Sequence, residues 1–212
     1  MNALFLGGSF TAAGNLPNVF KKMYEIAHGD ECIVSSHTFS QAKLCDHFIS
    51  KESRELLTSR SWSVVILQEQ SKLPIDNPIE ALKAITCWKE IIPDNTFLIL
   101  MMTWRRKEDF SDCDRWAKQV DFFKKAHSLG VYVSPVGIAW EIYRGAFPHQ
   151  KLMETSSSHS TTRGAELSAT CLMESLSRLA AIGDKWRSHI LEMYISAVAA
   201  HQLFEEPGNV IT

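Results

Sequence analysis

Short apolar runs alternate along this chain with longer amphipathic ones, a rhythm that predicts repeated βα units and a parallel sheet. The strands expected from it are Ala3–Leu6, Glu31–Ser35, Ser63–Leu67, Thr96–Met101 and Val131–Val133. Ser63–Leu67 is the clearest, continuous in β-branched residues as befits a strand covered on both faces. The expected helices are Leu16–Ala27, Phe39–Thr58, Pro78–Ile91, Cys113–Leu129, a short one within Pro135–Gly145, and Thr161–Ala181. Leu16–Ala27 opens at Asn15 and Pro17, and Gly130 closes Cys113–Leu129. Ile182-Gly183-Asp184 then breaks the pattern, and Lys185–Leu203 follows as one more amphipathic segment. Residues 1–182 thus read as one α/β domain, and residues 183–212 as a helical extension with a polar tail. In the extension Ile190, Met193, Tyr194 and Val198 recur at helical spacing, a face for internal packing or for an oligomer contact.

Composition narrows the class. A chain of 212 residues with 45% hydrophobic content can bury a sizeable core. The net charge of −2, with no basic run interleaved with aromatics, points away from nucleic acid. Apolar runs such as Phe97–Met102 are too short to span a bilayer. The chain enters strand pattern at once, without signal-peptide features, so a cytoplasmic protein is expected. Five scattered cysteines (Cys32, Cys45, Cys87, Cys113, Cys171) include no CxxC pair and read as reduced thiols, not a zinc site. His37 and His47 have no carboxylate partner at ligand spacing, so no metal and no cofactor is expected.

The chemistry-bearing feature is Leu4-Phe5-Leu6-Gly7-Gly8-Ser9. A strand followed by a glycine turn delivers a serine to the carboxyl edge of the sheet, where open α/β sheets bind ligands. A histidine, His159, stands far downstream just before the last core helix. The bland alternatives are a turn serine that caps the first helix and a histidine bonded within a local serine run.

Five blocks in order resemble the SGNH (GDSL-like) hydrolases, particularly a subgroup with a Gly-Asn-Ser-Phe-Thr first block. They are Gly7-Gly8-Ser9-Phe10-Thr11, Val64-Val65-Ile66-Leu67-Gln68-Glu69-Gln70-Ser71, Met102-Thr103-Trp104, Val133-Ser134-Pro135-Val136-Gly137-Ile138-Ala139-Trp140, and Ser156-Ser157-Ser158-His159-Ser160 leading into Gly164-Ala165-Glu166-Leu167-Ser168-Ala169. The resemblance covers roughly residues 3–180. It implies a flavodoxin-like three-layer α/β/α sandwich around a five-stranded parallel sheet. It also implies hydrolysis of an ester, whether of a small molecule, a carbohydrate or a lipid. On this resemblance Ser9 matches the nucleophile and His159 the general base. The N–H of Ser9 and an amide side chain, Gln68 first and Gln70 second, match the oxyanion donors. Trp104 and Trp140 fall after strand-like runs, where each could line a substrate pocket or pack in the core.

Two positions depart from that pattern. The family places an aspartate three residues before the histidine, and here Ser156 stands there. A hydroxyl can accept the imidazole N–H but brings no charge, leaving Ser156, Glu154 or a carbonyl to orient the ring. The family's second block carries a glycine whose N–H helps bind the oxyanion, and the matching stretch Ser40-Gln41-Ala42-Lys43-Leu44 has none. Gln41 can still offer its backbone N–H. A catalytically impaired relative that binds a ligand or a protein is the alternative reading. Glu69 is assigned no chemistry.

Overall fold

In a computed structural model, which describes residues 1–182, five parallel strands form one sheet in the order β2-β1-β3-β4-β5. The strands are β1 (Asn2–Gly7), β2 (Ile33–Thr38), β3 (Val64–Leu67), β4 (Phe97–Met101) and β5 (Tyr132–Ser134). Around them lie α1 (Ser9–Ala12), α2 (Leu16–His28), α3 (Leu44–Ile49), α4 (Lys51–Thr58) and α5 (Leu73–Asp76). Helices α6 (Pro78–Ile91), α7 (Cys113–Ser128), α8 (Val136–Ala146) and α9 (Thr162–Ile182) complete the set. The expected three-layer sandwich is the fold observed. The 183–212 extension lies outside the described residues.

Strand alternation sorts the core into two layers. Leu4, Leu6, Val65, Leu67, Leu100 and Val133 pack with residues of α3, α6 and α7, among them Leu44, Trp88 and Phe123. Ala3, Phe5, Val64, Ile66, Ile99 and Tyr132 face the other way, toward residues of α2, α8 and α9 such as Phe20, Trp140 and Leu172. The central strands are buried on both faces, which is why their sequences are continuously apolar. Among the described residues no helix is long and apolar enough to cross a membrane.

The expected strand Glu31–Ser35 begins and ends later, at Ile33–Thr38. Its polar half, Ser35-Ser36-His37, pairs in register with Leu4, Phe5 and Leu6 through the backbone, which is indifferent to side-chain polarity. The expected helix Phe39–Thr58 is broken twice. Residues 39–43 form a loop in which Gln41 takes a left-handed φ of 58°. Ser50 then adopts extended backbone and its side chain accepts the N–H of Ser53, capping α4. That break turns Ser53 onto His37 and His47. Two short helices, α1 and α5, had no periodic signal because neither completes two turns.

Candidate active site

Strand β1 ends at Gly7, and α1 begins at Ser9, so the serine stands on a turn at the carboxyl edge of the sheet. The turn is held from the neighbouring strand. Gln68, the first residue after β3, is buried, and its side-chain carbonyl accepts the N–H of Gly8 at 2.9 Å. The same oxygen accepts the N–H of Thr11 at 3.2 Å and its hydroxyl at 2.9 Å. Because its neighbours include two backbone donors, that atom must be the oxygen. The amide nitrogen donates to the carbonyl of Glu69. Gly7 is required here: a Cβ would stand 2.4 Å from the Thr11 hydroxyl and 2.9 Å from the Gln68 Cβ.

The Gln68 side chain, expected to offer its amide to an oxyanion, spends its oxygen on the Ser9 turn and one of its two amide hydrogens on the Glu69 carbonyl. Backbone donors are left as well. Among the described residues, the N–H groups of Ser9 and Gln41 make no hydrogen bond. The first reflects its place at the start of a helix, where N–H groups have no intrahelical acceptor. Gln41 belongs to the 39–43 loop, whose Phe39 and Ala42 backbone would lie 3.6 Å from a Cβ on Gly8. Its left-handed φ is a conformation that glycine adopts freely and other residues seldom take. Gln70 uses its side-chain oxygen on the N–H groups of Lys72 and Leu73, at 2.7 and 2.9 Å, and among the described residues its amide N–H₂ has no partner.

Glu69, which the sequence left without a task, ties the two donor-bearing loops together. It is only 1% exposed, and one carboxylate oxygen accepts the N–H of Leu44 at 3.1 Å and of Gln70 at 2.7 Å. Its other oxygen is buried, without a partner among the described residues. Burial pushes its pKa up to about 7, against the lowering effect of the two backbone N–H groups. The signal for it was a charged residue two positions after an all-buried strand.

His159 lies on the returning arm of a small hairpin. Glu154 donates its N–H to the His159 carbonyl at 2.9 Å, Thr161 donates to the Leu152 carbonyl at 2.8 Å, and Met153 bridges Ser160. The hairpin is anchored to the segment after β4. Trp104 donates its indole N–H to the Ser158 carbonyl at 2.8 Å, and the Ser158 hydroxyl accepts the N–H of Lys107 at 3.0 Å. The Trp104 ring is stacked between Phe10 and Trp140, with centroids 4.6 and 3.9 Å away. Trp104 is 1% exposed and Trp140 fully buried, so both serve as core and neither lines an open pocket.

Phe10 links the two candidate residues. It follows Ser9 in sequence, and its ring meets the edge of the His159 ring at 5.8 Å between centroids. Gly14 makes a second link: its φ of +61° lets the backbone lie where a Cβ would be 2.7 Å from the Thr161 carbonyl and 2.8 Å from Ala165. The serine-bearing segment is thus docked on the start of α9, three residues past His159. Ser156 is exposed, and among the described residues neither its hydroxyl nor the His159 ring makes a hydrogen bond. The carboxylate of Glu154 makes none either.

Beneath the turn runs a chain of polar contacts. The Gly7 carbonyl can only accept, so His47 Nε2, 3.0 Å away, carries the hydrogen. His47 Nδ1 then accepts the Ser53 hydroxyl at 2.8 Å, and that oxygen accepts from His37 Nδ1 at 2.7 Å. His37 Nε2 is 3.2 Å from the carboxylate of Glu52. Burial lowers the His47 pKa to about 4, so it is neutral at ordinary pH. Among the described residues no group of His, Cys, Asp and Glu could hold a metal ion.

No family sequence model and no curated protein sequence matches the chain, but its fold matches solved structures. A candidate SGNH hydrolase from Slackia heliotrinireducens superposes with a TM-score of 0.72 at 19% identity, covering 83% of this chain and 98% of the other. A DUF4886 family protein from Bacteroides uniformis gives 0.64 at 19% identity, covering 100% and 97%. The acetyl xylan esterase Axe2 of Geobacillus stearothermophilus gives 0.63 at 11% identity, covering 82% and 94%. With a parallel sheet ordered 2-1-3-4-5 and a serine turn after its first strand, this chain has the SGNH hydrolase fold.

Proposed function

We propose that the protein is an ester hydrolase in which Ser9 is the nucleophile and His159 the general base. The observation that carries this reading is the 5.8 Å edge contact between His159 and Phe10, the residue next to Ser9. A serine hydroxyl is a weak nucleophile near neutrality, so an imidazole must take its proton and return it to the leaving alcohol. Negative charge then gathers on the former carbonyl oxygen. The N–H groups of Ser9 and Gln41 and the amide of Gln70 are the donors left for it. Gln68 acts through the turn and Glu69 through the two loops, as positioning residues.

The structural neighbours include an acetyl xylan esterase and a lipase/acylhydrolase, which supports ester chemistry as the reaction class. The test is turnover of short p-nitrophenyl esters by wild type, Ser9→Ala and His159→Ala. Loss of turnover in both variants is expected, and rates equal to wild type would remove these residues from the mechanism.

A second reading, a domain that binds ligand without hydrolysing it, is favoured by the missing hydrogen bond on the His159 ring. Replacing the triad acid of a serine protease by its amide costs about 10⁴-fold in turnover. A fluorophosphonate probe separates the two readings: an activated Ser9 labels rapidly, and an unactivated one does not.

A further inference from the structure

A cavity of about 700 Å³ lies beside the hydrolytic residues, outside their contacts, between α8, the turn Lys107–Asp109 and residues 148–155. Neither Ser9 nor His159 lines it. We propose that it binds a small anionic amphiphile: an apolar body of drug-like size bearing one anionic group.

Its size is that of a small-molecule site. Phe110, Ile142, Leu152 and Met153 contribute apolar surface to its walls. Its charge is one-sided. Four cationic side chains, Arg105, Lys107, Arg144 and Lys151, line it against a single carboxylate, Glu141. That carboxylate is shared: it stands 3.8 Å from Arg105 and 2.8 Å from Arg144. Arg144 is also held 3.7 Å over the Phe110 ring. Lys107 donates to the carbonyls of Glu154 and Thr155, which fix its position without neutralising its charge. The lining thus carries three more positive than negative groups, on a chain whose net charge is −2. The Arg105 and Glu141 side chains are only 5% and 7% exposed, so water weakens the local field less than at an open surface. A neutral ligand would use the apolar walls alone, a cation would be repelled, and an anion joined to an apolar body meets both features.

The probes are 8-anilinonaphthalene-1-sulfonate and its neutral analogue N-phenyl-1-naphthylamine, titrated by fluorescence into the full chain. Saturable binding of the sulfonate at one site, at least tenfold tighter than the neutral compound and weakened by salt, is expected. Arg144→Gln should weaken the sulfonate at least fivefold and leave the neutral compound unchanged. Lys151→Glu, at an exposed rim position where unfolding is not a concern, should act in the same direction. Ala146→Trp, which projects an indole from the lining, should weaken both probes, whereas Ser9→Ala should alter neither. Equal affinity for the two probes would overturn the electrostatic claim. Sulfonate binding untouched by both Arg144→Gln and Ala146→Trp would overturn the location. Neither result bears on ester hydrolysis, which the Ser9→Ala and His159→Ala rates judge separately.

Discussion

The side-chain carbonyl of Gln68 accepts both the main-chain N–H and the hydroxyl of Thr11, at 3.2 and 2.9 Å, across 57 positions of sequence. The same oxygen also takes the N–H of Gly8. One buried atom therefore sets the turn on which Ser9 stands. Gln68→Leu would strand buried donors, each costing about 1–3 kcal/mol. Urea unfolding should show a loss of about 2–4 kcal/mol, and ester turnover should fall with it. A loss below about 0.5 kcal/mol would mean water replaces the amide freely.

Gly14 is expected to be costlier to substitute than another glycine of similar backbone. Gly14→Ala meets the Thr161 carbonyl at 2.7 Å, whereas a Cβ on Gly29, at φ +73°, meets nothing within 4 Å. Both variants carry left-handed strain of about 1 kcal/mol. Gly14→Ala should lose at least about 1–2 kcal/mol more in thermal or urea unfolding, the overpacking component. Equal losses would show that the docking of this segment on α9 yields easily.

Trp104→Phe preserves the flat stack on Phe10 and Trp140 but removes the donor to the Ser158 carbonyl. A buried carbonyl left unbonded costs about 1–3 kcal/mol. The His159 loop should loosen, and kcat for p-nitrophenyl esters should fall more than KM rises. Steady-state kinetics at constant folded fraction checks this.

Glu69 and His47 oppose each other in pH dependence. The Glu69 pKa rises on folding from 4.5 to about 7, so the native state holds its proton more tightly. Its contribution to stability is full below pH 4.5 and is lost as pH rises toward 7. The His47 pKa falls on folding from 6.5 to about 4, so its contribution is full above pH 6.5 and is lost as pH falls toward 4. Each is worth roughly 3 kcal/mol across its window, at 1.36 kcal/mol per pKa unit. Between about pH 4.5 and 6.5 the two slopes cancel. Removing one unmasks the other. Relative to wild type, Glu69→Gln should gain stability as pH rises from 5 to 7, and His47→Gln should lose it. Urea titrations at several pH values decide; parallel profiles for all three proteins would refute the pairing.

Ser156→Asp restores a carboxylate three residues before His159, at an exposed position where no other contact is lost. If Ser9 and His159 act as proposed, kcat/KM should rise at least tenfold, with little change in stability. An unchanged rate would favour the ligand-binding reading.

Much of the fold was legible in the sequence because parallel strands covered on both faces must be apolar throughout. Val64–Leu67 and Phe97–Met101 carry that signature plainly. Boundaries were harder where polar residues do backbone work: β2 runs through Ser35, Ser36 and His37, and Ser50 ends a helix that looked continuous. At the candidate site, the Ser9 turn and the His159 loop could be placed from ordered blocks. The task of each amide could not. Gln68 and Gln70 are two residues apart in one motif, and only the position of the Gly8 and Thr11 donors decides which of them holds the Ser9 turn. Glu69 was given no task because a buried carboxylate on two backbone N–H groups leaves no periodic trace.

The stacked rings of Phe10, Trp104 and Trp140 act as a ruler. Phe10 fixes one end beside Ser9, and the indole N–H of Trp104 fixes the other beside His159. The gap between the two segments is therefore set by the thickness of aromatic rings, not by the polar loops that happen to hold them. Such an arrangement lets the exposed position 156 carry a hydroxyl or an acid without detuning the spacing between the Ser9 and His159 segments.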